Sequence, residues 1–335
     1  MQARRSGFTL LEILVVTAII AVLSALSIAA FGSIVGMARE SATRSTLAKI
    51  QALVDARADG YARLCKRPYI VTSSIERFLT GQMFPTNPAA ADIAARKLLA
   101  AKYFPQSAGD LLDPGIVINK RTVQRGMYAI YPKLVDVAGA LVNPNITPAE
   151  VLYHVLTEST LCGPPIGLDS FGPHEVGDVN ANGLPEFLDG WGKPIVLYRW
   201  PTRLIRPAGQ TAGSVAPLLT AADLANVSLV IPLLPGNVPT AGDSDLGRDP
   251  DDPLRTLWAA TQAATLERMT FPGTSIAGPT PSTWWTPLAV SAGPDGVFGM
   301  FAPDDVANFG NLAAVRDPQA LADDLVSISM KAGGR

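Results

Sequence analysis

Arg4-Arg5-Ser6-Gly7-Phe8-Thr9-Leu10-Leu11-Glu12 is the stretch whose reading decides the fold, because an apolar run to Phe31 follows it at once. From Phe8 to Phe31 the only charge is Glu12. That run exceeds the roughly 20 residues a helix needs to cross the hydrocarbon core of a bilayer. With Arg4 and Arg5 just ahead of it, the positive-inside rule places residues 1–7 in the cytoplasm and everything after about residue 32 outside. Glu12 is the anomaly. A carboxylate within a membrane helix costs roughly 2.5–3.5 kcal/mol on insertion scales, so it implies a task or a partner. A cut between Gly7 and Phe8 would create an α-amino group one helical turn from Glu12. Amine and carboxylate could then pair within a chain, or between chains packed in register.

This string resembles the class III leader of type IV pilins and type II secretion pseudopilins. In that family a prepilin peptidase cuts after the Gly and N-methylates the new Phe. The resemblance rests on Gly7, Phe8 and Glu12, with the apolar run directly behind, and it covers about the first tenth of the chain. It implies processing at Gly7 and Phe8, assembly through Glu12, and partnership with prepilin peptidase, other pilin or pseudopilin subunits and an inner-membrane assembly platform. Two other readings are open. One is a secretory signal cut near Ala29-Ala30, against which stand the charge at Glu12 and the helical pattern that continues past that point. The other is a single-pass anchor that never polymerises.

Beyond Phe31 the pattern turns amphipathic. Ile34, Met37, Leu47, Ile50, Leu53, Val54, Ala58, Tyr61 and Leu64 recur at three- and four-residue spacing. Arg39, Glu40, Arg44, Lys49, Arg57 and Asp59 fall mostly between them, which is the stripe of a helix with one face on a core. Gly32 and Gly36 mark a weak point, and Pro68 an end. The helix predicted from Phe8 to Arg67 would be about 90 Å long. The chain thus divides into a leader (1–7), a membrane and assembly helix (8–31), its amphipathic continuation (32–67) and a globular head (68–335). A protruding half and a head-packed half is also the arrangement the pilin resemblance implies.

Within the head, residues 69–175 read as mainly helical. Ala89–Ala101 is Ala- and Leu-rich, and Thr147-Pro148-Ala149-Glu150 has the form of an N-cap, first-turn proline and capping box. His154 follows on that helix as a structural histidine. The best strand signal is Trp191–Trp200, entered through Asp189-Gly-Trp-Gly-Lys-Pro194. That entry is similar to the Asp-x-Trp-Gly-x-Pro motif that opens the pseudopilin sheet. Ser228–Leu234 and Thr286–Ser291 are further strand candidates, with a solvated acidic loop from Asp243 to Asp252 between them. The fold class is therefore α+β and pilin-like: a long N-terminal helix laid on a small antiparallel sheet with large insertions.

Composition narrows the function. Apolar residues make up 48% and charged residues 17%, with net charge −2, which argues against a disordered chain and against a nucleic-acid partner. The 29 Gly and 28 Pro among 335 residues exceed the usual combined share of about 12%, so the head should be rich in turns. Cys65 and Cys162 are compatible with a disulfide in an exported head, or with two separate thiols. Two cysteines and two histidines are too few for a Cys/His zinc site of the usual spacing. No P-loop, dinucleotide fingerprint, nucleophile elbow or zinc-protease helix occurs, so a non-enzymatic role is expected.

Two loops are candidates for Ca2+, the one cofactor the sequence suggests. In Asp178–Asp189 the oxygen-bearing Asp178, Asn180, Asn182, Glu186 and Asp189 fall at positions 1, 3, 5, 9 and 12, with Gly183 at 6, as in an EF-hand-type loop. Against this, Pro185 is awkward at the eighth position and no exiting helix follows. The alternative is an Asn/Gly turn whose carboxylates face water. The second candidate joins Ser291-Ala-Gly-Pro-Asp295-Gly296 to Asp323-Asp324, similar to the C-terminal calcium loop of major pseudopilins but with 297–322 inserted. Asp304 and Asp305 compete there as ligands. The expected role is a structural subunit of a type II secretion or type IV pilus-like fibre, in the inner membrane with its head in the periplasm. A large head also suits a minor, tip-located subunit. The alternatives are an exported, anchored binding protein that keeps the leader without polymerising, and, third, a tethered enzyme.

Overall fold

The computed structural model describes residues 10–67, 71, 73–113, 116–118, 120–158, 168–199, 256, 269–270, 277–278, 287–304, 316–317 and 319–327, with the backbone alone at 27–33, 116–118, 168, 269–270, 277–278 and 322. Helix α1 spans Leu10–Cys65 and stays helical through Gly32 and Gly36. A glycine costs about 1 kcal/mol against alanine in a helix, too little to interrupt a ladder flanked by Leu, Ile and Ala. After Cys65 the chain tightens into a turn, with Lys66 N–H donating to Ala62 O and Arg67 N–H to Leu64 O. Pro68 lies outside the described residues.

Among the described side chains of α1, those with a core face lie in its C-terminal half. Leu47, Ile50, Val54 and Tyr61, at intervals of three, four and seven residues on one helix face, are buried. The stripe starts later than the sequence pattern suggests: Ile34 and Met37 are 62% and 68% exposed, so the buried face of α1 begins at Thr43. Arg57, read as a solvent-side charge, is buried, and its guanidinium donates to Leu156 O at 3.2 Å.

After α1 come α2 (Ile75–Met83) and α3 (Pro88–Tyr103), an antiparallel pair around the buried Leu79 and Leu98. Both are capped from the sequence: Ser74 and Asn87 accept from the third residue of their helices, and Pro88 takes the first position. The predicted helix at 89–101 is thus present and slightly longer. Two short helices, α4 (Ala108–Leu111) and α5 (Met127–Ile130), flank a hairpin of β1 (Ile116–Ile118) and β2 (Arg121–Val123). Then α6 (Pro148–Thr157) begins with the predicted capping box, Thr147 and Glu150 each holding the other's backbone N–H. Residues 149–156 of α6 are all buried. Leu152, Tyr153 and Leu156 pack on α1, while Val151 and Val155 join Leu111, Met127, Tyr131 and Leu134.

A hairpin of β3 (Val176–Gly177) and β4 (Glu186–Phe187) leads into the principal sheet. That sheet is antiparallel, in the order β5 (Val196–Tyr198), β8 (Leu288–Ser291), β9 (Leu325–Val326). Between β5 and β8 a separate two-stranded piece pairs β6 (Met269–Thr270) with β7 (Ala277–Gly278). Leu197 and Ala289 are directly paired and face α1, where they complete the cluster of Leu47, Ile50 and Val54. Strand alternation turns Tyr198 to the other face, where its hydroxyl donates to Phe301 O at 2.8 Å. The chain is therefore α+β, a long helix on small antiparallel sheets. Strands β5 and β8 fall within the readings Trp191–Trp200 and Thr286–Ser291 and are shorter than them; Ser228–Leu234 and the Asp243–Asp252 loop lie outside the described residues.

Candidate functional site

The sequence concentrates function at the start of α1. Gly7 and Phe8 lie outside the described residues, but Glu12 sits in the first turn of the helix, on an exposed position. Around it Leu10, Leu11, Ile13, Leu14, Val15, Val16, Ile19, Ile20, Val22, Leu23 and Leu26 are each 47–81% exposed. A contiguous apolar surface of this extent marks a surface meant to be covered, by lipid or by other helices. Among the described residues no helix is long and apolar enough to cross a membrane.

Near the middle of α1, where its buried face begins, the Asp189–Pro194 motif forms a tight turn. Asp189 Oδ1 accepts the N–H groups of Trp191 (2.8 Å) and Lys193 (2.9 Å), while Oδ2 accepts from the Ser291 hydroxyl on β8 at 2.6 Å. Gly190 presses its backbone on α1, its N–H donating to Thr43 Oγ1 at 2.9 Å. Asp189 is thus buried and fully engaged as a structural link between the turn and the sheet.

The first candidate cation loop closes on itself. Asp178 accepts from the N–H groups of Asn182 and Gly183, Glu186 from that of Val179, and Asn180 and Asn182 turn their carbonyl oxygens to the N–H groups of Asn182 and Leu184. Their amide NH2 groups meet at Glu150 Oε1, at 2.7 and 2.8 Å. Donors, rather than oxygens, therefore converge at the centre, and Asp189 faces away to Ser291. As arranged, the five residues do not form the oxygen cage that Ca2+ requires. Sequence reasoning missed Glu150 in this role because its capping-box partner, Thr147, already accounted for it; the long-range signal is not local. Glu186 is buried and holds its proton more tightly than an ordinary carboxylate, through burial first and then the charges of Glu150 and Asp178.

The second loop is different. Gly293, at φ +66°, lies so close to the Asp323 carbonyl that a Cβ would come within 2.3 Å of it. That approach brings Asp295, Asp323 and Asp324 within electrostatic reach of one another. Burial raises the Asp323 carboxyl, helped by Asp295. Asp324 is pushed from 3.8 to about 7, by burial first and then by Asp323 and Asp295, against a hydrogen bond from Gly299 N–H to Oδ2 at 2.9 Å. Asp324 Oδ1 is buried with no hydrogen-bond partner among the described residues. Among the described residues no three His, Cys, Asp or Glu side chains stand as a ready-made metal cluster. Asp304 is exposed and adds to the charge around Tyr198, and Asp305 lies outside the described residues. Cys65 is half-buried beside Tyr61, and Cys162 lies outside the described residues.

No curated protein and no solved structure matches the chain. Residues 2–28 match the prokaryotic N-terminal methylation motif. The match covers Gly7, Phe8 and Glu12 and runs into the exposed apolar face of α1. This chain therefore carries the N-terminal signal of type IV pilins and pseudopilins, the mark of a pilin-like protein processed by prepilin peptidase.

Proposed function

We propose that the protein is a structural subunit of a type II secretion or type IV pilus-like fibre, without enzymatic activity. It is held in the inner membrane by residues 8–31, with its head in the periplasm, cleaved between Gly7 and Phe8 and methylated, then assembled with other subunits on an inner-membrane platform. The observation that carries this reading is the methylation motif running straight into a helix whose apolar side chains are exposed on all sides in the single chain. Packed side by side, such helices bury that surface in each other. Glu12 then meets the new α-amino group of a neighbour only when the two are in register, which offsets the cost of a carboxylate in an apolar bundle. A hard divalent cation, Ca2+ first, is proposed at the second loop, held by Asp295, Asp323 and Asp324. The orphaned Asp324 Oδ1 favours it.

The test is the N-terminal peptide mass of the protein from its native membrane, together with cross-linking of neighbouring subunits. A chain starting at N-methylated Phe8, with cross-links lost in Glu12→Ala, is the expected result. An intact Met1, or a start near Phe31, would remove the basis of the fibre. A methylated Phe8 with cross-linking unaffected by Glu12→Ala would favour the anchored binding protein.

A further inference from the structure

Helix α6 is the joint of the head, since its residues belong both to the cluster on α1 and to the cluster around Tyr131. On it sits His154, 1% exposed. Its Nδ1 lies 3.0 Å from Glu158 Oε1, and that same oxygen is 2.5 Å from Lys133 Nζ. The Nδ1 contact lacks hydrogen-bond geometry, and both ring nitrogens are buried with no hydrogen-bond partner among the described residues. The edge of the ring meets Tyr153, whose centroid is 5.4 Å away.

The neutral ring carries one proton, and neither nitrogen has a hydrogen-bond partner among the described residues that could take up the charge of a second. A second proton would place a full charge on a ring that is 1% exposed. The resulting imidazolium would face Lys133, a like charge that already holds Glu158. The charges acting on the ring are Glu158 and Glu150 of its own helix and Lys133 from the segment after α5. Burial outweighs the two carboxylates, so the ring resists protonation more than an exposed histidine.

We propose that His154 is an acid-sensitive latch on α6: neutral, it lets the helix close the joint between the two core clusters; protonated, it must leave its site, and the joint loosens. The sign follows from linkage. A histidine that binds protons less well in the native state contributes stability at neutral pH that is lost as pH falls below the unfolded value of about 6.5. The device requires neither fibre assembly nor a cation.

The test is amide hydrogen exchange of the full-length protein at about pH 7.5 and about pH 5, corrected for intrinsic rates, compared with His154→Phe. Protection over 148–157 is expected to fall about tenfold or more in the wild type on acidification, and less than about twofold in the variant. Unchanged protection in the wild type, or an equal fall in the variant, overturns the latch. Because His154→Phe could misfold, ring hydrogen exchange at the two histidines of the wild type supplies an independent reading. His154 is expected to titrate below the ordinary histidine value of about 6.5, and a midpoint at or above that value overturns the proposal.

Discussion

At the scale of single residues, the carboxyl of Asp324 shows how burial without a counter-charge becomes a pH dependence. Pushed from 3.8 to about 7, it binds a proton more tightly in the native head than in the unfolded chain. Stability is then fully present at low pH and declines as pH rises from about 4 through about 7. Asp324→Asn removes the titration and keeps the shape. In chelator-treated protein the variant is expected to be more stable than wild type above pH 7, by roughly 1–4 kcal/mol, and equal to it near pH 4. Denaturant unfolding at the two pH values measures this. Added Ca2+ should reverse the order, since a cation on Asp324 stabilises the wild type and has lost a ligand in the variant. If calcium moves neither protein, the cation reading of that loop fails while the pH dependence stands.

Among elements, the docking of the Asp189–Pro194 turn on α1 depends on a missing side chain. A Cβ at Gly190 would lie 2.3 Å from the Arg39 carbonyl oxygen, a backbone atom of a packed helix that has no room to yield. Gly190→Ala is therefore expected to cost roughly 1–3 kcal/mol and to raise amide exchange at residues 189–193, with less effect on α3. The sequence made this turn legible as a motif leading into a strand, and α3, α6 and β8 were equally open to reading, because caps and alternation are local. Contacts with distant partners leave no such local signal. Asn180 and Asn182 look like calcium ligands by spacing alone, yet Glu150, about thirty residues upstream, turns their amide groups inward. Arg57 has the pattern of a solvent-side charge until the Leu156 carbonyl is brought over it. Strand β9 is too short to leave a periodic signal and exists because Val290 and Ser291 offer it an edge.

For the whole molecule, α1 does two unrelated jobs with one continuous ladder of hydrogen bonds. Toward its C-terminus Ile50 is fully buried between α6 and the sheet, and Gln51 donates to Asp55 while its carbonyl accepts from Ser327 beyond β9. Toward its N-terminus Leu14 is 58% exposed and contributes nothing to the fold of a lone head. The two halves should therefore separate under mutation. Ile50→Ala leaves a cavity in the densest part of the core and is expected to cost about 2–5 kcal/mol of head stability. Leu14→Ala should leave the unfolding of the head unchanged, within about 0.5 kcal/mol, because it removes no contact there. If bundled helices are what covers the apolar face, the same Leu14→Ala should weaken subunit cross-linking in the membrane, while Ile50→Ala lowers it only as far as it lowers the amount of folded protein. Calorimetry on the purified chains and cross-linking in membranes read the two effects independently. A Leu14→Ala chain whose head melts earlier would show that the protruding half is packed on the head after all, and the division of labour along α1 would have to be abandoned.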